Sequence, residues 1–132
     1  MVYKLLVVDN EKDVVDILKK RLVQEGYEVE VAFDGEEALE KVKVTDPDLI
    51  ILDLMMPKLN GFEVLKEVRE KYTGKWRPII IVSAASDLET VKKTYNLEAD
   101  HYLTKPCTME NLLRGVRTMI SLIPLRKGSN EQ

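Results

Sequence analysis

Two carboxylates in this chain stand where an apolar run breaks off: Asp9 after LLVV and Asp53 after LIIL. Each run has the pattern of a strand covered on both faces. A carboxylate at such a point is costly unless it meets solvent, a cation or a donor. Other polar groups occupy equivalent places. Asn10 and Glu11 follow Asp9, Ser83 ends PIIIVS, and Lys105 follows HYLT. Two carboxylates with a neighbouring amide and a free backbone carbonyl make an oxygen-rich pocket. That suits Mg2+, which takes one or two carboxylates plus waters and phosphate oxygens. Lys105 offers a point charge for a phosphoryl oxygen, and Ser83 offers a hydroxyl beside it. A carboxylate nucleophile, a divalent ion, a lysine and a hydroxyl together fit phosphoryl transfer to Asp53. Each alone has a plainer reading. Asp9-Asn10-Glu11 could cap a helix, Ser83 could be a loop hydroxyl, Lys105-Pro106 a turn, and Tyr102 an amphipathic strand residue. Their joint placement at one sheet edge is what speaks for chemistry.

That placement depends on an alternation of strands and helices. Residues 3–8 read as a strand, and 12–25 as a helix with Val14, Val15, Leu18, Leu22 and Val23 inward and Gly26 as its stop. Residues 27–32 alternate apolar and charged, which suits an edge strand. A short helix over 36–43 follows Asp34-Gly35 and ends at Asp46-Pro47-Asp48. The Asp53 strand runs into a loop marked by Pro57 and Asn60-Gly61, then a helix over about 61–72. A third apolar strand spans 78–83, and a helix over 87–95 has a weak apolar face of Leu88, Val91 and Tyr95. The last strand is 101–104, and the last helix, about 108–122, is ended by Pro124. Strand–helix alternation of this kind implies a parallel sheet with helices on both faces. With 27–32 at an edge and the apolar strands inside, the strand order is 2-1-3-4-5, a flavodoxin-like α/β fold. The ends of strands one and three then share the crevice where such sheets bind ligands.

Composition narrows the function. The chain has 132 residues, enough for one core. A net charge of -3 gives no support for direct nucleic-acid binding. No apolar run approaches membrane-spanning length. The N-terminal apolar run meets Asp9 within a few residues and lacks a secretory layout, so the expectation is a cytoplasmic protein. Cys107 is the single cysteine and His101 the single histidine, which argues against a disulfide and a cysteine- or histidine-rich metal centre.

The segments VVDNE, PDLIILDLMMPKLNG, IIIVSA and YLTKP, each at its strand end, together resemble the receiver domain of a two-component response regulator, of the chemotaxis-receiver type. The likeness runs from Lys4 to about Ile123, so residues 1–123 are expected to be the domain and 124–132 a polar tail or linker remnant. The resemblance implies a phosphoprotein that catalyses only its own phosphorylation and dephosphorylation. Asp53 would accept the phosphoryl group from the phosphohistidine of a sensor histidine kinase or phosphotransfer protein. Mg2+ would be held by Asp9, Asn10, Asp53 and the backbone carbonyl of Met55. Lys105 would pair with the acceptor or its phosphate, and Ser83 and Tyr102 would form the switch pair. The Lys105-Pro106 bond would be cis. The fourth helix, last strand and last helix would form the surface read by an effector or output domain, and two copies could pair through it.

Three positions depart from the family pattern. Asn10 stands where a second acid is usual, keeping an oxygen but losing a charge, so Mg2+ should bind more weakly unless Asp9 or Glu11 compensates. Cys107 stands where Phe is common, and Glu98 where Gly is common. Asn10 leaves open a degenerate receiver that docks partners without phosphorylation. An aspartate-nucleophile phosphohydrolase fits less well, because the position two beyond Asp53 is Met55, which cannot transfer protons. A nucleotide or flavin binder would need a phosphate-cradling loop after the first strand, and DNEKD is acidic instead.

Overall fold

The structure, a computed structural model, describes residues 1–56 and 58–130, with side chains described through Arg126. Pro57, expected to mark a loop, and the last two residues of the tail lie outside the described residues. Five strands and five helices alternate: β1 (Lys4–Val8), α1 (Lys12–Gln24), β2 (Glu28–Ala32), α2 (Gly35–Thr45), β3 (Leu49–Leu52), α3 (Gly61–Lys71), β4 (Ile79–Ser83), α4 (Leu88–Asn96), β5 (His101–Thr104) and α5 (Met109–Asn130). The strands are parallel in the order β2-β1-β3-β4-β5, as the patterning implies.

Period-two alternation divides the core into two layers. Leu6, Val8, Ile50, Leu52, Ile79 and Ile81 face Ala38 and Val42 of α2 and Val64, Leu65 and Val68 of α3. Leu5, Val7, Leu49, Ile51, Ile80 and Val82 face Val15 and Leu22 of α1 and Leu112, Leu113 and Val116 of α5. The strand runs read as continuously apolar because both faces are covered. Register aligns the ends: Val8 pairs with Leu52 and with Ala32. The next residue of each inner strand keeps the ladder, with Asp9 N–H donating to the Ala32 carbonyl (3.1 Å) and Asp53 N–H to the Val8 carbonyl (3.0 Å).

Helix starts follow the capping chemistry in the sequence. Asp34, Asn60, Asp87 and Thr108 each accept a hydrogen bond from the backbone N–H three residues on. Glu11 stands at the N-cap of α1 but makes no side-chain cap bond.

Three expectations are corrected. Pro124 does not end the last helix, which continues to Asn130. Proline removes one donor, to the Ile120 carbonyl, and the extension is held from outside: the Arg126 guanidinium sits 4.4 Å from the centre of the Trp76 ring. The inward face of α4 is also different. Leu88 and Tyr95 are exposed, and the fully buried residue is Thr94, whose hydroxyl donates to the Val91 carbonyl. Val23, assigned inward on α1, is half exposed, since Leu22 and Val15 already fill that side. Glu98 also acquires an explanation. Its φ is +70°, the left-handed region where glycine is at ease, and its carbonyl accepts from Arg69 Nε at 2.9 Å. No helix among the described residues is long and apolar enough to cross a membrane.

Candidate functional site

β1 has β2 on one side and β3 on the other, so the chain changes direction across the sheet between β1 and β3. At this point the crevice opens beyond the strands' carboxyl ends. Asp9 and Asp53 both lie in it, 4% and 5% exposed. Lys105, just beyond β5, reaches across to them. Its ammonium lies 2.8 Å from Asp9 Oδ2, 3.4 Å from Asp53 Oδ2 and 3.5 Å from Glu11 Oε1. Lys105 is itself fixed by its backbone N–H, which donates to the Ser83 carbonyl (2.7 Å); its peptide bond to Pro106 is cis.

The remaining carboxylate oxygens take local donors. Asp9 Oδ1 accepts from Glu11 N–H (2.9 Å) and Asp53 Oδ1 from Met55 N–H (3.2 Å). Burial pushes the Asp53 carboxyl above its usual range, against the Met55 bond and the Lys105 charge. Burial alone would lower the Lys105 ammonium, but the bond to Asp9 and the charges of Asp53, Asp9 and Glu11 outweigh it, and the amine is held above its ordinary value. Burial raises the half-buried Cys107 thiol.

Glycine lets the acceptor loop close tightly. Gly61 N–H donates to the Leu54 carbonyl at 3.0 Å. A Cβ on Gly61 would lie 2.5 Å from the Asp53 carbonyl oxygen and from Leu54 Cα. Gly35 likewise abuts the Leu59 backbone. The sequence offered Asn60-Gly61 and Asp34-Gly35 as turn signals; that Gly61 presses against the backbone of Asp53 and Gly35 against that of Leu59 is visible only in three dimensions.

Ser83 is fully buried, and its hydroxyl oxygen accepts from Ala85 N–H at 3.2 Å, not from Lys105. The Tyr102 hydroxyl donates to the carbonyl of the same Ala85 at 2.5 Å. The two side chains thus hold both polar groups of one peptide residue in the β4–α4 turn. Asn10 is exposed beside Asp9 and makes no side-chain hydrogen bond among the described residues.

The donor set suits a hard divalent cation. Asp9, Asp53 and Glu11 surround a single ammonium, which leaves negative charge uncompensated in a half-enclosed crevice. Among the described residues, no three carboxylate, imidazole or thiol groups converge closely enough to enclose an ion unaided. A cation here would draw on backbone oxygen and water as well, which is how Mg2+ is commonly held. The arrangement sets a buried carboxylate beside a positive charge, a pairing that could accept a phosphoryl group.

Known proteins share this fold and sequence pattern. Residues 5–117 match the response regulator receiver domain family. The receiver domain of the Francisella response regulator 1452 superimposes with a TM-score of 0.82 at 34% identity, covering 89% of this chain and 95% of that one. The chemotaxis protein CheY4 of Vibrio cholerae gives 0.84 at 34% identity, covering 90% and 99%. NtrX of Brucella abortus gives 0.89 at 26% identity, covering 99% of this chain but 29% of the longer protein.

Proposed function

The chain belongs to the response regulator receiver domain family, and from that premise we propose that Asp53 is its phosphoacceptor, working with Lys105, Ser83 and a Mg2+ ion. The donor is the phosphohistidine of a histidine kinase or phosphotransfer protein. An Asp53 carboxylate oxygen forms the new P–O bond as the P–N bond to the histidine breaks, and the imidazole leaves with the electron pair. The burial of Asp53 at the switch point, within reach of Lys105, carries this reading. Mg2+, when bound, neutralises charge on the phosphoryl oxygens. Asp9, Asp53, the Met55 carbonyl and Asn10 would hold it, Asn10 through a neutral oxygen. Lys105 turns from Asp9 toward a phosphoryl oxygen, a short movement because its ammonium already lies between the two carboxylates.

The switch follows from the Ala85 contacts. A phosphoryl oxygen on Asp53 competes for the Ser83 hydroxyl, the Ala85 peptide shifts with it, and Tyr102 loses its acceptor and turns inward. The charge at Asp53 thereby biases a two-state turn read on the face of α4, β5 and α5. Exposed Leu88 and Tyr95 on α4 and the half-exposed edge strand β5 make that face suitable for an effector, an output domain or a second copy of the chain. The reading places the domain in the cytoplasm, with no direct contact to nucleic acid or membrane.

Incubation with acetyl phosphate and Mg2+, read by intact mass, tests this. One phosphoryl adduct is expected, abolished by chelation of the metal and by Asp53→Asn, and strongly reduced by Lys105→Ala. An adduct insensitive to both chelation and Asp53→Asn would refute it. A second reading, a receiver that docks partners without being phosphorylated, is favoured by the neutral Asn10 and by Lys105 lying nearer Asp9 than Asp53. It expects no adduct in the same experiment.

A further inference from the structure

We propose that Glu11 supplies the second negative charge of the cation pocket, the charge that Asn10 lacks, by accepting hydrogen bonds from the water shell of the bound divalent ion. This rests on the metal-dependent reading above and assigns a residue to it. Three observations carry it. Glu11 stands at the N-cap of α1, yet its carboxylate makes no cap bond, so the side chain is not committed to holding the helix. It turns instead to the crevice, with Oε1 3.5 Å from the Lys105 ammonium that Asp9 and Asp53 also share. A cation already held in that position reports where the negative potential of the three carboxylates converges. Finally, Glu11 N–H donates to Asp9 Oδ1, so the Glu11 backbone is tied to the Asp9 carboxylate and the Glu11 side chain starts from a fixed point beside the pocket.

Glu11 is too far out to complete a direct cage, consistent with the lack of three converging ligand groups among the described residues. An outer position matches Mg2+, which dehydrates reluctantly and keeps several waters. When Lys105 moves toward the acceptor, Glu11 loses its ammonium partner and would be free to face the water shell of the ion.

Calorimetric titration of the unphosphorylated protein with Mg2+ tests the assignment. Glu11→Gln should weaken Mg2+ by about sevenfold, the effect of one charge on a divalent ion across roughly 7 Å of water-like medium. Asp13→Asn removes an equal charge from the adjoining first turn of α1 and should cost clearly less than Glu11→Gln, which separates a local role from general field effects. In an Asn10→Asp background the Glu11→Gln penalty should shrink, because the missing charge is restored directly. Wild-type affinity in Glu11→Gln, or an equal loss in Asp13→Asn, would overturn the inference and leave the phosphoacceptor reading standing. No saturable Mg2+ binding by the wild-type chain, or binding unaffected by Asp9→Asn, would instead sink the metal reading on which it depends. Glu11 is solvent-exposed, so thermal melting should show both single variants folded like the wild type.

Discussion

At the scale of single residues, the side chains flanking Asp53 bear on how long a phosphoryl group would stay. Met55 is largely exposed and Ala85 is small and apolar, so neither can orient a water by hydrogen bonding. Self-dephosphorylation should be slow. Met55→Gln adds a donor and acceptor at that place and should speed it by roughly fivefold, the rate equivalent of one hydrogen bond worth about 1 kcal/mol. The check is decay of the phosphoprotein after donor removal, and equal lifetimes for the two proteins would count against the account. Asp9, Asp53, Ser83 and Lys105 were legible in the sequence because each ends a strand or follows directly on one. The partition of the Lys105 ammonium between them was not, since it depends on side-chain reach across the crevice. Nor was the joint hold of Ser83 and Tyr102 on Ala85, which needs the packing of β5 beside β4.

At the scale of elements, the strands were legible because burial on both faces writes long apolar runs, and the order followed from the charged alternation of β2. Helix detail was less so. Thr94 is buried because its hydroxyl is satisfied within its own turn, a fact periodicity does not carry. Glu98 is a local conflict: a side chain in left-handed backbone, kept where Arg69 and the start of β5 need the turn. Glu98→Gly should stabilise the domain by roughly 0.5–1 kcal/mol, the relief of the left-handed strain less the added freedom of the unfolded chain. Denaturant melts would show it, and a loss of stability would contradict it. The cap of α2 gives a pH dependence. The Glu37 N–H bond, aided by the Lys58 charge, holds the Asp34 carboxyl below its usual range. The ionised form is therefore favoured in the folded state. Its contribution is complete above the ordinary Asp value of about 3.9 and is lost as pH falls through the lowered folded value. Asp34→Ala should cost about 1 kcal/mol at neutral pH, and the two proteins should converge in strong acid. A penalty constant across that range would show that the cap is not electrostatic.

At the scale of the whole molecule, the Asp53 crevice and the C-terminal extension lie at opposite ends of the sheet. Trp76 precedes β4, while Asp53 and Ser83 lie at the far ends of their strands. The one tryptophan of the chain is thus blind to the crevice and reports on Arg126 stacked over it. Mg2+ should leave its emission unchanged, whereas truncation after Ile123 should alter it. A metal-dependent change of emission would show coupling along the full length of the sheet. The sequence led to a helix stopping at Pro124, because proline is a reliable breaker only where nothing outside the helix compensates. The partner here is a residue some fifty positions earlier, invisible to any local pattern.

The identity of the acceptor residue is the most direct test of Asp53 as phosphoacceptor. Borohydride reduces an aspartyl phosphate to homoserine, so reduction after acetyl phosphate treatment, followed by peptide sequencing by mass, reads the modified residue. Homoserine at position 53 and at no other aspartate is the expected result, with none formed from Asp53→Asn. Homoserine at position 9 or elsewhere, or a phosphoryl adduct that persists in Asp53→Asn, would contradict it.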